Sequence, residues 1–137
     1  MKEKKEGRVV FISSESAVNI PAEMIHYGVT KTAQLAVARG LAEMTSGTKI
    51  TVNSVLPGPT YTEGVHEFVN QMAETKNLTA QQVEEDFFKN VRPTSLIKRF
   101  ASSDEVAALV AFVCSEQAAA INGTALRMEG GIIHSII

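Results

Sequence analysis

Four apolar residues in a row, Val9 to Ile12, sit inside the segment Arg-Val-Val-Phe-Ile-Ser at 8–13. A short continuous run of β-branched and aromatic residues suits a strand covered on both faces, as in a parallel sheet. A polar loop with Pro21 follows, then a stretch from about 23 to 44 that reads as a helix. Its second half carries Leu35, Ala36, Val37, Ala38, Leu41, Ala42 and Met44, apolar around most of the circumference. A helix of that kind is buried on more than one side. One side predicts the sheet; the other predicts a further helix or a partner subunit. Residues 46–49 supply a glycine stop, and 50–56 (Ile-Thr-Val-Asn-Ser-Val-Leu) read as a second strand. Pro57 and Pro59 end it, since neither can donate to a sheet ladder.

From 62 to about 89 the chain is polar and helical in character. It breaks near 76–79, where Thr79 and Gln82 form a Thr-x-x-Gln capping box. Residues 92–100 read as an irregular connector. Ser102 and Glu105 make a second capping box, opening an apolar helix that runs to about Glu116, and Ala125 to Met128 form a short last strand. The order strand, helix, strand, helical insert, helix, strand is a βαβαβ sequence. It predicts an α/β fold with a parallel sheet of doubly wound, Rossmann type, of which only the C-terminal half is present.

Bulk properties narrow the partners. The chain has 137 residues, so one domain spanning 1–137 is expected, with 45% hydrophobic and 20% charged residues. A net charge of -2 points to neither nucleic acid nor an anionic membrane. The basic start at 1–8 includes two glutamates and reads as a solvated terminus. The single cysteine, Cys114, lies in an apolar helix and is expected in the core. It leaves no internal disulfide and fits a reducing compartment. No apolar run is long enough to span a bilayer and no apolar signal segment follows the basic start, so a cytoplasmic location is expected. His26, His66 and His134 lack metal-ligand spacing, and no metal site is expected. Met24, Met44 and Met72 suit packing or a substrate lid, and Glu84, Glu85 and Asp86 a solvated helix face.

Tyr27 and Lys31 carry the candidate chemistry. Positions i and i+4 of a helix lie one above the other, so the two share a face. A free tyrosine keeps its proton up to a pH of about 10. A cation held close favours the phenolate, which suits a phenol to general acid–base work near neutrality. In open solvent the effect is small, so the pair needs a cleft, and a parallel sheet provides one at the carboxyl ends of its strands. Ser14 and Pro57-Gly58 both fall at such ends.

These residues together resemble the carboxyl-terminal half of a short-chain dehydrogenase/reductase. The family shows a strand ending in serine, a Tyr-x-x-x-Lys helix, an Asn-x-x-x-Pro-Gly strand end and an Asp-Gly-Gly-like turn. Here these read Phe-Ile-Ser-Ser at 11–14, Tyr-Gly-Val-Thr-Lys at 27–31, Asn-Ser-Val-Leu-Pro-Gly at 53–58 and Met-Glu-Gly-Gly at 128–131. Glu129 stands where the aspartate is usual. The resemblance covers residues 7–131 and implies an NAD(P)-dependent oxidoreductase acting on a small carbonyl or alcohol substrate. It implies that Tyr27 exchanges a proton with the substrate oxygen, that Ser14 holds that oxygen, and that Lys31 tunes the tyrosine and bonds the nicotinamide ribose. Pro57, Gly58, Thr60 and Thr62, with Tyr27 and Lys31, match positions that line the cofactor. The segment 62–100 corresponds to the variable substrate lid.

The chain also departs from the family. No set of its nine glycines forms Gly-x-x-x-Gly-x-Gly or Gly-x-Gly-x-x-Gly, so the loop that cradles the pyrophosphate of NAD or NADP is absent. The first four strands of the family's fold are absent with it. The strand at 8–13 then lacks a neighbour on one edge, which invites pairing with another chain. The expected partner is a missing N-terminal half or a second copy in a homo-oligomer. The alternative function is a truncated, non-catalytic fragment or an oligomerisation module. Ser95-x-x-Lys98 also resembles a motif of penicillin-recognising hydrolases, but neither Ser-Asp-Asn nor Lys-Thr-Gly accompanies it.

Overall fold

The computed structural model describes residues 5–136; the first four residues of the basic start lie outside that range. Three parallel strands form the sheet: β1 (Glu6–Ile12), β2 (Lys49–Pro57) and β5 (Ala125–Met128), in the order β1-β2-β5. The register pairs Val9 with Val52 and Phe11 with Ser54, and on the other side Ser54 with Ala125 and Pro57 with Met128. β2 is therefore central, and every residue from Ile50 to Leu56 is buried. Successive side chains of a strand point to opposite faces, so both faces of β2 are covered.

Helix α1 (Ile25–Glu43) crosses from β1 to β2 and packs on the sheet through Ala38 and Ala42, against Val52, Val9 and Phe11. Small residues at 38 and 42 let the helix approach the strands closely. Helix α4 (Ser103–Cys114) packs against β1 and β2 as well and leads into β5. Asn53 and Asn122 fasten the return. Asn53 donates to the Ile121 carbonyl at 2.8 Å and accepts from the Thr124 N–H at 3.2 Å, while Asn122 accepts from the Val52 N–H at 2.8 Å.

Between β2 and α4 lies the helical insert, α2 (Glu63–Lys76) and α3 (Ala80–Asp86), followed by a π-helical turn at Phe87–Val91. Asn77 ends α2 in the left-handed conformation (φ 53°), a state that asparagine tolerates better than most side chains. The capping boxes at Thr79–Gln82 and Ser102–Glu105 are both formed. The segment 92–100 is irregular, and it delivers a strand pair invisible in the sequence: β3 (Thr60–Tyr61) runs parallel to β4 (Ala101–Ser102). The pair clamps the two ends of the insert together. Glu84 does more than face solvent, because its carboxylate accepts from the Phe100 N–H at 2.9 Å.

A further expectation changes. Cys114 is exposed rather than in the core, because α4 ends there and turns it outward. Among the described residues nothing covers the far face of α1, where Ile25, Val29, Val37, Leu41 and Met44 are exposed. Among the described residues no helix is long and apolar enough to cross a membrane.

Candidate functional site

β1 ends at Ile12, and the two serines that follow are buried at its carboxyl end. Ser13 joins three elements: its N–H donates to the Val55 carbonyl at 2.9 Å and its hydroxyl to the Lys31 carbonyl at 2.9 Å. Ser14 is extended, and its hydroxyl oxygen accepts from the Ser16 N–H at 3.1 Å, capping a single 3₁₀ turn at Glu15–Ala17. The cap fixes that oxygen and leaves its proton free for another acceptor.

Tyr27 sits in the first turn of α1 and is half-buried. Its neighbour Gly28 permits the position. A Cβ there would lie 2.5 Å from the Ile20 side chain and 3.1 Å from the Ser16 carbonyl oxygen, so a larger residue would push α1 away from the serine loop. Lys31 follows one turn later. Its ammonium donates to the Ile12 carbonyl at 3.1 Å and stands 5.5 Å from the centroid of the Tyr27 ring. That is cation–π range. The phenol and the ammonium therefore share a face, with the ammonium held between the end of β1 and the ring.

The third component leaves β2. Gly58 passes against the 129 turn so closely that a Cβ would lie 2.8 Å from the Glu129 Cα. Thr60 donates its hydroxyl to the Gly58 carbonyl at 2.9 Å, and Thr62 caps α2. Glu129, in the turn where an aspartate is usual, is buried. Its carboxylate accepts from Arg127 at 3.0 Å and from the N–H groups of Ile132 and Ile133. The longer side chain thus still organises the turn that supports Gly58.

Two adjoining cavities meet at these residues. One, about 430 Å³, is bounded by Ser14, Tyr27, Pro57, Gly58, Thr60 and Thr62, together with Ile12 and Ser103. The other, about 530 Å³, shares Ser14, Tyr27, Gly58 and Thr60 and extends under the insert to Met24, Phe68, Phe87 and Phe100. Of the candidate catalytic and cofactor-binding residues, Lys31 lines neither cavity and stands against the Tyr27 ring. Ser14 and Tyr27 belong to both cavities. A group bound in either one would meet the same hydroxyls.

Sequence reasoning missed Glu15 and Arg92. Arg92 donates through Nε to Glu15 Oε1 at 3.0 Å, a buried ion pair spanning 77 residues at the wall of the larger cavity. No local spacing announces a contact of that range. The aromatic wall was equally hidden, because Phe68, Phe87 and Phe100 come from three separate segments of the insert.

Comparisons with known proteins bear on the fold and the family. Residues 1–133 match the family model described as "Enoyl-(Acyl carrier protein) reductase". The chain is 50% identical over 136 residues to the uncharacterized oxidoreductase YvaG of Bacillus subtilis (strain 168), covering 99% of this chain and 52% of that one. It is also 50% identical over 133 residues to the uncharacterized oxidoreductase YvrD of the same organism, covering 97% and 51%. Among solved structures, that of L-sorbose reductase from Gluconobacter frateurii, complexed with NADPH and L-sorbose, superposes with a TM-score of 0.89. Its identity is 27%, over 99% of this chain and 51% of that one. The chain thus spans about half the length of these relatives. With a family match across almost its whole length and half-identical oxidoreductases beside it, the chain belongs to the short-chain dehydrogenase/reductase family.

Proposed function

We propose that this chain is the chemistry-bearing half of an NAD(P)-dependent oxidoreductase that interconverts a carbonyl compound and its alcohol. The observation that carries the reading is the meeting of Ser14 and Tyr27 at the border of two cavities, with the Lys31 ammonium against the Tyr27 ring. In the direction of reduction, the Tyr27 hydroxyl gives its proton to the substrate oxygen, and in oxidation it takes that proton back. Ser14 donates its free proton as a hydrogen bond to the same oxygen and fixes it opposite the phenol. Lys31 stabilises the phenolate left behind, and its bond to the Ile12 carbonyl keeps the ammonium in place while charge develops.

The smaller cavity suits the nicotinamide end of a cofactor. Its walls offer the Pro57–Gly58 backbone and the hydroxyls of Thr60, Thr62 and Ser14, donors and acceptors for a carboxamide. A nicotinamide bound there supplies or accepts the hydride at the carbonyl carbon. The similar L-sorbose reductase structure, which holds NADPH, supports that assignment. Nothing among the nine glycines of this chain provides a pyrophosphate cradle, so the adenosine end belongs to residues outside it. Residues 62–100 then act as the substrate lid over the larger cavity. The open edge of β1 and the apolar far face of α1 take either an N-terminal half or a second copy.

The test joins this chain to the N-terminal half of a half-identical relative and follows nicotinamide oxidation with a panel of ketones. Tyr27→Phe is expected to lower kcat by about 10²–10⁴-fold while cofactor fluorescence shows binding unchanged. Equal turnover by Tyr27→Phe rejects the role given to the phenol. Turnover absent with every ketone and alcohol, despite cofactor binding, favours a non-catalytic module.

A further inference from the structure

Two charged side chains, Glu15 and Arg92, belong to the wall of the larger cavity, which is otherwise mostly apolar through Met24, Phe68, Phe87 and Phe100. The guanidinium faces two carboxylates. Its Nε donates to Glu15 Oε1 at 3.0 Å, and its Nη1 lies 3.7 Å from Glu23 Oε1. Ser16 adds a hydroxyl to Glu15 Oε1 at 3.2 Å, and Arg92 Nη1 also donates to the Val91 carbonyl at 3.0 Å. The three side chains carry a formal net charge of about −1 at neutral pH. The Glu15 side chain is only 3% exposed, and its Oε2 has no hydrogen-bond partner. The cluster therefore holds more negative charge than its one cation satisfies.

A bare guanidinium on this wall would be a receptor for a carboxylate, which it grips through two parallel N–H groups. Here two of its three nitrogens, Nε and Nη1, are already engaged, and two carboxylates stand beside the group. A carboxylate-bearing ketone entering the cavity would lose its hydration and meet the buried Glu15 charge, with the one cation on the wall already paired to carboxylates. An uncharged ketone meets only apolar and aromatic surface beyond the reacting oxygen. Specificity of this kind comes from repelling the wrong ligand as much as from gripping the right one.

We propose that Glu15, by capping Arg92, is a specificity-determining residue that closes the pocket to anionic substrates and selects uncharged carbonyl compounds with an apolar substituent. The inference rests on the larger cavity being the substrate pocket. Its test uses binding to the full chain, read by ligand-observed NMR, with a matched pair: ethyl levulinate, which is neutral, and levulinate, which carries a carboxylate. The wild-type chain is expected to bind the ester more than about tenfold tighter than the acid. Glu15→Gln, which releases the guanidinium, is expected to tighten levulinate by about tenfold or more and to move the ester by less than about threefold. Levulinate is then also expected to raise the melting temperature of Glu15→Gln, because it replaces the missing countercharge. Should Glu15→Gln not fold, Glu15→Gln/Arg92→Gln is expected to keep the ester and still reject levulinate, since no cation is left to release.

Wild-type binding of levulinate as tight as that of the ester overturns the proposal, and so does binding of neither. An unchanged levulinate affinity in Glu15→Gln, or levulinate uptake by the double variant, overturns it too. If the charge selectivity holds while no hydride transfer is found in the joined protein, the catalytic reading fails and the assignment of Glu15 stands.

Discussion

Phe88 and Val69, in the helical insert, each keep 2% of their surface exposed, whereas Val29 and Val37, on α1, keep 57% and 53%. Both pairs are apolar; Val69, Val29 and Val37 sit on α-helices and Phe88 on the π-helical turn. The insert closes its own core: Val69, Val83, Phe88 and Phe100 form one buried cluster, and Phe87, Phe88 and Phe100 stack at centroid distances of 5.0–5.1 Å. The sheet with α1 does not close. β2 is covered on both faces, but among the described residues β1 has a strand on one side only and α1 buries just Gly28, Ala38 and Ala42. The difference teaches which part of the site is self-supporting. The aromatic wall of the larger cavity is held by contacts inside the insert, while Tyr27 and Lys31 ride on a helix whose outer apolar residues are exposed.

The comparison breaks most visibly at Phe88. Phe88→Ala removes the centre of the closed cluster and is expected to cost about 3–5 kcal/mol, seen as a loss of amide protection across α2 and α3. If protection there is no worse than in α1, the insert is not the self-supporting part. A smaller cost of about 1–3 kcal/mol is expected for Gly58→Ala, whose new methyl meets the backbone of Glu129. The melting temperature of the chain reads it, and an unchanged value means that the 129 turn yields freely.

On α1 the expectation reverses. Val37→Lys with Leu41→Lys changes the stability of a dissociated chain by no more than about 0.5 kcal/mol per site, because neither side chain is buried. Its effect appears in size-exclusion chromatography, where the unaltered chain is expected to associate with rising concentration and the variant to elute as a monomer. A wild-type chain that stays monomeric and unfolds cooperatively contradicts the unpartnered face.

The smallest effect is expected where the insert joins α4. Hydrogen bonds from Arg99 and from the Ser102 N–H lower the Glu105 pKa from its ordinary 4.5 to about 2. The folded value lies below the unfolded one, so this contribution is complete above pH 4.5 and fades as the pH falls through about 2. The pair is exposed, and salt weakens it. Melting of the wild type and of Arg99→Met is expected to converge between pH 4.5 and 2, and a gap that stays constant over that range assigns the effect to packing.

The elements that the pattern made legible are those whose side-chain period survives in isolation. The run at 9–12 and the stretch 50–56 became β1 and β2, the capping boxes at Thr79 and Ser102 opened α3 and α4, and residues 125–128 became β5. The 23–44 helix was legible too, although its entry is a 3₁₀ turn at Ala22–Met24 and the α-helix begins at Ile25. Spacing also placed Tyr27 and Lys31 on one face, because a four-residue step on a helix needs no tertiary information. Cys114 misled because its neighbours are apolar, and only the end of α4 decided which way it points.

By itself, then, the chain's order of residues determined the strands, the helices, the parallel α/β class and the local geometry of the Tyr-x-x-x-Lys turn. The elements and the turn depend on contacts between near neighbours, and the parallel class follows from the order in which strands and helices alternate. Tertiary structure alone decided the β3–β4 clamp, the aromatic wall assembled from Phe68, Phe87 and Phe100, and the Glu15–Arg92 ion pair. Each joins segments tens of residues apart, and such contacts are set by the closure of the whole chain, which no short window of sequence encodes.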